Sequence, residues 1–375
     1  QVAIPLHTRR GESLGMSRFC DDVNAYAIIM AGGNGERFWP LSTPELPKQF
    51  LDLFGGKPLI SQAVDRLTGL IPVERIFVIT ADRFVGLTRD VLPMVPAENV
   101  IGEPCRRDTA AAVATACGLV LKNGGEDAVG CILTADTLIS PRETFQQELA
   151  DAIRVAEMTD AIVTMGIRPT RPETGFGYIE CGDDFASSEE LTASFAEVLR
   201  FVEKPDCDTA KKYMDSGRFL WNAGMFIWKA SVMREAFGRH ARDIAPLIEA
   251  ISGSECVKRT LDVLYPQLRS ISVDFAVMEH AERIIVAKTT FAWDDVGSWT
   301  AVENHFPADA DGNVVLGNCL LQNCRGVTAV NRMVGSHVLA VSGLRDAVVV
   351  QTRSATLVCS KEESKNLKTL VRRLT

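Results

Sequence analysis

AYAIIMAGGNGERFWPLSTPELPKQFLD, residues 25–52, is the segment that decides the fold of this chain. Its residues 26–31 form a continuous apolar run of strand length, and Gly32, Gly33 and Gly35 follow at once. A glycine-rich turn after a buried strand leaves backbone N–H groups open to an anion, because glycine lets the main chain approach closely and take positive φ. The segment therefore predicts a strand that ends in a phosphate-binding turn.

Two cations follow these glycines. Arg37 can bind two oxygens at once through its guanidinium, and Lys48 supplies a point charge. The loop matches neither GxxxxGK[ST] nor GxGxxG, so it is neither a Walker loop nor the dinucleotide fingerprint. A tight turn after a core strand is the alternative interpretation, and the number of phosphate-compatible groups favours the anion site over it.

Composition and charge exclude several classes of protein. With 375 residues the chain fits two domains, or a large one with an appendage. Its net charge of −8 and the lack of a dense basic run argue against nucleic-acid binding. No apolar run approaches the roughly 18 residues that span a bilayer. The 10 cysteines show no CxxC pair, so we expect reduced thiols in a cytoplasmic protein.

Strand and helix patterns alternate after the glycine turn. Helical periodicity covers residues 58–70 and 109–122, and short apolar strands cover residues 75–80 and 129–134. This alternation predicts right-handed crossovers and a mainly parallel sheet, with ligands beyond the carboxyl ends of its strands. The domains that we predict are an N-terminal extension at 1–24, a catalytic domain at 25–304 and a small C-terminal domain at 305–375.

The C-terminal part has a different pattern. An aliphatic residue recurs at every sixth position at Val315, Leu321, Val327, Met333 and Leu339, which is typical of a hexapeptide β-helix. An irregular antiparallel sheet is the alternative, since the register fails near residue 345. Residues 362–374 have the pattern of a basic amphipathic helix, and a homodimer stays open.

The loop also resembles a known signature. Its full sequence is similar to that of the sugar-1-phosphate nucleotidylyltransferases, and its FWPLS and PKQF portions resemble the mannose-1-phosphate guanylyltransferase branch. Further similar motifs follow in the same order: EPCRRDTAAA, TGFGYIE, RFVEKPD, WNAGMF and WDDVGSW. The resemblance implies a Rossmann-like α/β nucleotidyltransferase domain with a mainly parallel mixed sheet, followed by a small β-helix-like domain.

Two aspartates are the predicted metal ligands. Asp136 follows a strand in CILTAD, and Asp295 lies in WDDVGSW. Mg2+, or another divalent cation, takes one or two carboxylates plus phosphate oxygens and water. Either aspartate alone could instead cap a helix, whereas the resemblance assigns both to the metal. The family's usual histidine after the first aspartate is Thr137 here, which alters the surroundings of that ligand.

The motif EPCRRDTAAA resembles the family's EPxGRNTAPA, which borders the nucleotide base. Arg106 replaces the glycine, and Asp108 replaces the asparagine. A carboxylate accepts from both N1–H and N2–H2 of guanine, so Asp108 is compatible with GTP, although it could also be the N-cap of the next helix. With the loop, the resemblance gives these nucleotide-binding residues: Ala31, Gly32, Gly33, Gly35, Glu103, Arg107, Asp108 and Thr109.

A sugar-phosphate site is implied by the remaining motifs. We expect backbone N–H groups at Gly175 and Gly177 to contact the substrate, Glu203 to accept from sugar hydroxyls and Lys204 to bind the sugar phosphate. Asn222 supplies an amide that both donates and accepts.

The resemblance implies one reaction. The oxygen of mannose 1-phosphate would attack the α-phosphorus of GTP in line, giving GDP-mannose and pyrophosphate, with Arg37, Lys48, Asp136 and Asp295 as the catalytic residues. No general base is needed, because a phosphate oxygen is already ionised near neutral pH. Two alternatives remain: a nucleotidyltransferase for another sugar 1-phosphate, and a catalytically silent homologue that binds a sugar nucleotide and controls a partner.

Overall fold

A computed structural model describes residues 24–33, 36–186 and 191–374. The predicted extension at 1–24 therefore lies outside the described residues apart from its last one. The strands are β1 (Ala25–Ala31), β2 (Ile76–Ala81), β3 (Val100–Glu103), β4 (Val129–Thr134), β5 (Leu138–Ser140), β6 (Ile162–Ile167), β7 (Gly177–Asp184), β8 (Ser194–Glu203), β9 (Phe219–Lys229), β10 (Ile284–Lys288), β11 (Ala292–Asp294), β12 (Val314–Leu316), β13 (Cys319–Gln322), β14 (Thr328–Asn331), β15 (Leu339–Ser342), β16 (Ala347–Gln351) and β17 (Thr356–Ser360).

The α-helices lie mostly between strands of the first three quarters of the chain. They are α1 (Leu59–Asp65), α2 (Val85–Val91), α3 (Asp108–Gly124), α4 (Arg142–Met158), α5 (Cys207–Ser216), α6 (Ala230–His240), α7 (Ala245–Ser252), α8 (Val257–Leu264), α9 (Val273–Ala276) and α10 (Leu367–Val371). No helix of the described residues is long and apolar enough to cross a membrane. The basic helix predicted at 362–374 is shorter than expected, because a 3-10 turn at Glu363–Asn366 precedes α10.

The chain forms two compact units, each assembled from separate segments. Of the described residues, the first unit takes those within 24–31, 63–134 and 140–292, and the second takes those within 32–62, 135–139 and 293–374. This grouping does not follow the chain order that the sequence suggests. The predicted boundary between residues 304 and 305 stays a prediction.

A nine-stranded mixed sheet is the centre of the first unit. Its strand order is β3-β2-β1-β4-β9-β6-β10-β8-β7. The half from β3 to β4 is parallel, as the alternation of strands and helices predicts. Strand β9 runs antiparallel to both of its neighbours β4 and β6, which makes the other half mixed. Strands β1 and β4 end side by side, since Met30 is paired with Thr134.

The core of the first unit lies where the alanine-rich helix α3 packs on neighbouring helices. Residues 110–120 of α3 are buried almost throughout. A Cβ atom placed on Gly118 would lie 2.7 Å from the Ile251 side chain of α7, so only glycine allows the two helices to approach this closely. The small side chains of α3 thus explain its central position.

The second unit has its own apolar core. Aromatic and aliphatic residues of the glycine-loop segment pack with residues that follow the WDD motif and with strands of the C-terminal part: Phe38, Leu51, Leu53, Phe54, Leu59, Val296, Trp299, Val302, Val330, Val348, Val350, Leu357 and Leu367. Glu303 adds polar contacts, because it accepts from the Thr328 hydroxyl at 2.7 Å and from Lys361 Nζ at 2.8 Å. The WDD motif is therefore attached to the C-terminal strands.

These C-terminal strands form a small β-helix. Strands β12, β14 and β16 pair in parallel, as do β13 and β15, which rules out the wholly antiparallel alternative for this part. The strict six-residue period is wrong in detail. Val315 is 41% exposed, whereas Val327 is fully buried. Val314 pairs with Thr328, and Thr328 pairs with Val348, so successive coils differ in length and no single period can hold.

Candidate active site

The glycine turn begins where β1 ends. Ala31 is buried, and its carbonyl accepts a hydrogen bond from the Thr80 hydroxyl at 3.1 Å. Gln49 Nε2 donates to the carbonyl of Gly33 at 3.2 Å and so holds the turn. A Cβ atom placed on Gly33 would meet no heavy atom within 4 Å, which leaves open space beside the backbone.

The expected role of positive φ is not found at the two described glycines of this turn. Neither Gly32 nor Gly33 is among the glycines with positive φ. Both are exposed, so glycine serves here to keep the backbone uncovered rather than to reach a left-handed conformation. Gly35, also predicted to bind the nucleotide, lies outside the described residues.

Lys48 joins the two predicted metal ligands. Its Nζ donates to Asp136 Oδ2 at 3.0 Å and also to the backbone oxygen of Asp295. The lysine side chain is only 9% exposed, whereas that of Asp136 is 42% exposed. Residues far apart in the sequence therefore meet at one ammonium group, with one carboxylate open to solvent.

Arg37 and Asp295 approach each other at Gly297. A Cβ atom placed on Gly297 would lie 2.8 Å from Asp295 Oδ2 and 3.5 Å from Arg37 Nη1. A side chain at residue 297 would push against the carboxylate, so glycine is required for this close approach. We call Arg37, Lys48, Asp136 and Asp295 the Lys48 cluster.

The backbone that carries Asp295 is strained. Val296 has a φ of 44° although it is β-branched, a conformation that such residues rarely adopt. Its side chain is fully buried in the core of the second unit, and its N–H donates to Asp294 Oδ1 at 2.8 Å. Asp294 Oδ2 is also 2.9 Å from His305 Nε2. Asp294 thus fixes the turn, while Asp295 faces Arg37.

Aromatic packing holds the two halves of the Lys48 cluster together. The rings of Phe38 and Trp299 have centroids 5.1 Å apart, and Trp299 Nε1 donates to the carbonyl of Trp39 at 3.0 Å. Phe38 follows Arg37 directly, and Trp299 follows Asp295 by four residues. The aromatic residues of the FWPLS and GSW motifs therefore position Arg37 and Asp295, which lie near them in the sequence.

Asp136 and Asp295 both carry a carboxylate, the type of protein ligand that a small, hard cation takes. Magnesium takes one or two protein carboxylates and completes its shell with phosphate oxygens and water. Throughout residues 24–33, 36–186 and 191–374, no group of three or more His, Cys, Asp or Glu side chains could hold a metal. Thr137, which stands in place of the family's histidine, is 3% exposed.

The predicted base motif lies in the first unit at the start of α3. Tyr265 donates a hydrogen bond to Glu103 Oε1, and Arg107 donates to the backbone oxygens of Arg106 and Pro266. Burial raises the pKa of the Glu103 carboxyl, and the hydrogen bond from Tyr265 opposes that rise.

Asp108 differs from a simple N-cap. Helix α3 begins at Asp108 itself, which has a φ of 62°, and its Oδ1 accepts from the Thr109 N–H at 2.8 Å rather than from a residue further along the helix. The carboxylate is exposed, and so is the side chain of Arg106, the other departure from the family motif. Thr109 Oγ1 accepts from the N–H of Val273 at 2.8 Å.

The residues predicted for the sugar phosphate meet on adjacent strands of the first unit. Gly177 of β7 is paired with Glu203 of β8, and a Cβ atom on Gly177 would lie 2.7 Å from Glu203 Oε2 and 3.5 Å from Asn222 Cβ. Asn222 Nδ2 donates to Asp274 Oδ1 at 3.0 Å. We call Gly177, Glu203, Asn222 and Asp274 the Asn222 cluster.

Two other residues of the predicted sugar site contact neighbouring carboxylates. The N–H of Gly175 donates to Glu173 Oε1 at 3.1 Å, so it serves the loop and not a ligand. Lys204 Nζ donates to Glu203 Oε1 at 2.5 Å, and its side chain is 62% exposed. Lys204 therefore lies beside the Asn222 cluster and forms an ion pair with the Glu203 carboxylate.

Three residues with clear roles in these arrangements were missed by the sequence analysis. Gln49 holds the glycine turn, Tyr265 contacts Glu103, and Asp274 contacts Asn222. Gln49 lies within the PKQF string, which was its only signal. The other two are distant in sequence from the motifs that they contact, so no local pattern indicates them.

Comparison with known proteins identifies the family of this chain. A family model described as nucleotidyl transferase matches residues 26–312, and one described as MannoseP isomerase/GMP-like beta-helix domain matches residues 327–374. The chain belongs to the nucleotidyl transferase family.

Its similar relatives narrow the family further. The chain is 35% identical to mannose-1-phosphate guanylyltransferase of Klebsiella pneumoniae, covering 92% of this chain and 72% of that protein. It is also 35% identical to mannose-1-phosphate guanylyltransferase 2 of Escherichia coli O157:H7, covering 94% and 74%. A crystal structure from Thermus thermophilus, titled mannose-1-phosphate geranyltransferase, has a TM-score of 0.81 at 34% identity and covers 94% of this chain and 99% of that one. Within the family, the chain belongs to the mannose-1-phosphate guanylyltransferase branch.

Proposed function

We propose that this chain transfers GMP from GTP to α-D-mannose 1-phosphate and releases pyrophosphate. The observation that carries the proposal is the Lys48 ammonium, which contacts Asp136 Oδ2 and the backbone of Asp295. Relatives that carry the name of this activity align over more than nine-tenths of the chain, which supports the choice of substrates.

The chemistry needs alignment and charge neutralisation. A phosphate oxygen of the sugar phosphate is ionised near neutral pH, so it can attack the α-phosphorus of GTP without a general base while pyrophosphate leaves. Lys48 has three N–H donors, and two of them donate to described residues, so the third can donate to a phosphate oxygen. Arg37 is exposed and can bind two phosphate oxygens at once.

Asp136 and Asp295 would hold Mg2+ or another divalent cation. A bound cation would neutralise the charge of the phosphates and help to orient them. Lys48 keeps the Asp136 carboxylate in place from one side. Gly297 leaves the room in which the Asp295 carboxylate and Arg37 lie together.

The residues that would recognise the base and the sugar phosphate belong to the first unit. Glu103, Arg107, Asp108 and Thr109 would surround the guanine, and the exposed Asp108 carboxylate can accept from its N1–H and N2–H2 groups. Gly177, Glu203, Lys204 and Asn222 would bind the sugar phosphate. We also propose a cytoplasmic location, since the described cysteines are free thiols, as a reducing compartment favours.

A pyrophosphate-release assay tests the proposal. GTP and mannose 1-phosphate with Mg2+ should give rapid release, whereas ATP, glucose 1-phosphate or chelation of the metal should lower it strongly. Asp295→Asn should remove turnover. Asp311→Asn is the matched control, because Asp311 is an exposed carboxylate of the same unit outside the Lys48 cluster. Equal rates with and without Mg2+, or full activity of Asp295→Asn, would refute the metal assignment, and failure with every sugar 1-phosphate would support the silent homologue.

A further inference from the structure

Asp274 orients the Asn222 amide. Asp274 lies in the short helix α9, and its Oδ1 accepts from Asn222 Nδ2 at 3.0 Å. At the other end of the amide, Asn222 Oδ1 accepts from the N–H of Gly224 at 3.0 Å. Both ends of the amide are therefore engaged and its orientation is fixed, and among the described residues its second Nδ2–H is left for another acceptor.

The space beside this amide is bordered by a second polar group. A Cβ atom placed on Gly177 would lie 2.7 Å from Glu203 Oε2 and 3.8 Å from Asn222 Nδ2. An acceptor and a donor thus border the volume that the missing side chain leaves open. This pairing suits a sugar hydroxyl, which donates one hydrogen bond and accepts others.

Asp274 itself is costly to keep in this environment. Burial and then the charge of Glu203 raise the pKa of the Asp274 carboxyl to about 6, whereas hydrogen bonding from Asn222 and the charge of Lys204 oppose the rise. An apolar residue would avoid the cost of burying a carboxyl group. A carboxylate, unlike an apolar residue, can accept the hydrogen bond from Asn222 Nδ2.

The segment that carries Asp274 is also bonded to the base motif. The N–H of Val273 donates to Thr109 Oγ1 at 2.8 Å, and the N–H of Ala110 donates to the carbonyl of Ile271 at 3.1 Å. Residues 271–274 are therefore hydrogen-bonded to the start of α3 at one end and to Asn222 at the other.

We propose that Asp274 is a positioning residue for sugar recognition. It holds the Asn222 amide in an orientation that faces the sugar hydroxyls. It also connects that amide to the segment that contacts Thr109. This inference rests on the proposed function, since it assigns a role within the same site. Asp274 acts through Asn222 and need not contact the sugar. It also gives the base motif a physical connection to the sugar-binding residues.

Steady-state kinetics of two replacements test the positioning role. Asp274→Ala removes the acceptor and should raise the KM for mannose 1-phosphate about tenfold or more, with less than a twofold change in the KM for GTP. Asp274→Asn keeps an oxygen that accepts from Asn222 and should stay within about threefold of the wild type. The control is Asp215→Asn, an exposed carboxylate of the same unit.

A double replacement separates positioning from a general loss of structure. Asp274→Ala should add little to the KM effect of Asn222→Ala, because both remove the same oriented amide. Additive effects on the KM, or an unchanged KM in Asp274→Ala, would overturn the positioning role. The proposed function would still stand if the wild-type chain turns over GTP and mannose 1-phosphate. A wild-type chain that turns over no sugar 1-phosphate would overturn both.

A replacement at Thr109 tests the link to the base motif. Thr109→Val removes the acceptor of the Val273 N–H and should raise the KM for mannose 1-phosphate at least threefold, whereas Thr109→Ser keeps the hydroxyl and should raise it less. An effect of Thr109→Val on the KM for GTP alone would contradict the link.

Discussion

The Lys48 cluster and the Asn222 cluster are built in different ways. The first brings charged residues together from turns of three separated segments, and its geometry depends on aromatic packing and on a valine with positive φ. The second takes Gly177, Glu203 and Asn222 from adjacent strands, where register fixes their neighbours. The charged residues of the Lys48 cluster are thus held in turns, one of them strained at Val296, whereas the polar groups of the Asn222 cluster are held mainly in a sheet.

This difference predicts different responses to mutation. Removing a charge from the Lys48 cluster should lower turnover and leave substrate binding less affected. Changing the Asn222 cluster should alter the KM for the sugar phosphate first.

Lys48→Met should have the largest effect, lowering kcat by about 10^3-fold, because it removes a preorganised cation together with the link between Asp136 and Asp295. Pyrophosphate release at saturating substrates measures this loss. Lys48→Arg, which keeps the charge but not the compact ammonium, should recover only part of the rate. A kcat within tenfold of the wild type for Lys48→Met would show that the ammonium is dispensable.

Asp274→Asn should change the pH dependence of stability. The folded chain holds the Asp274 proton up to a pKa of about 6, above the ordinary value of 3.8, so this residue's contribution to stability is lost as the pH rises between these values. Above pH 6 the buried charge costs on the order of 3 kcal/mol. Asp274→Asn should therefore raise the Tm by about 5 °C at pH 7.5 and by less at pH 4.5.

Thermal unfolding followed by circular dichroism at the two pH values measures this difference. Asp215→Asn gives the reference, because its carboxylate is exposed. An equal change in Tm at both pH values would contradict the assignment of the pKa to Asp274.

Gly177→Ala tests the sugar side of the contrast. The added Cβ would lie 2.7 Å from Glu203 Oε2, so the carboxylate, at the end of a flexible side chain, must move away from its position beside Asn222. The KM for mannose 1-phosphate should rise about tenfold or more, with kcat within about threefold. Gly86→Ala is the control, since a Cβ atom there would meet nothing within 4 Å. A loss of kcat with an unchanged KM would reverse the assignment of this cluster to recognition.

Trp299→Phe should have the smallest effect. It keeps the ring packing on Phe38 but removes the hydrogen bond to the Trp39 carbonyl, which costs about 1 kcal/mol of stability. We expect kcat to fall only a few-fold, measured with the pyrophosphate assay, and the Tm to fall by about 2–4 °C. A change confined to the KM for mannose 1-phosphate would contradict this expectation, because Trp299 would then act on the Asn222 cluster and not on the Lys48 cluster.

Much of the architecture could be predicted from local patterns. The apolar run at 26–31 and the strand at 129–134 are found as β1 and β4, and their parallel pairing follows from the alternation of strands and helices. The β-helix is found as well, but its irregular coils break the six-residue period, because turns of different length separate its strands.

The site could be predicted only where its residues lie in short motifs. Arg37, Lys48, Asp136 and Asp295 stand in recognisable strings, and the structure brings them together. Asp274 could not be found this way, because its contact with Asn222 joins residues 52 positions apart and depends on tertiary packing. Hydrogen bonds within a loop, such as the one from the Gly175 N–H to Glu173 Oε1, could not be predicted from the sequence pattern either.

We propose that Asp136 and Asp295 together hold one divalent cation for nucleotidyl transfer. Electron paramagnetic resonance of Mn2+ titrated into the GTP-bound chain measures this binding, with Asp136→Asn, Asp295→Asn and the Asp311→Asn control compared with the wild type. We expect one tight Mn2+ site in the wild type and the control, with an affinity at least tenfold weaker in each of the other two variants. Unchanged Mn2+ affinity in Asp136→Asn and Asp295→Asn would contradict it.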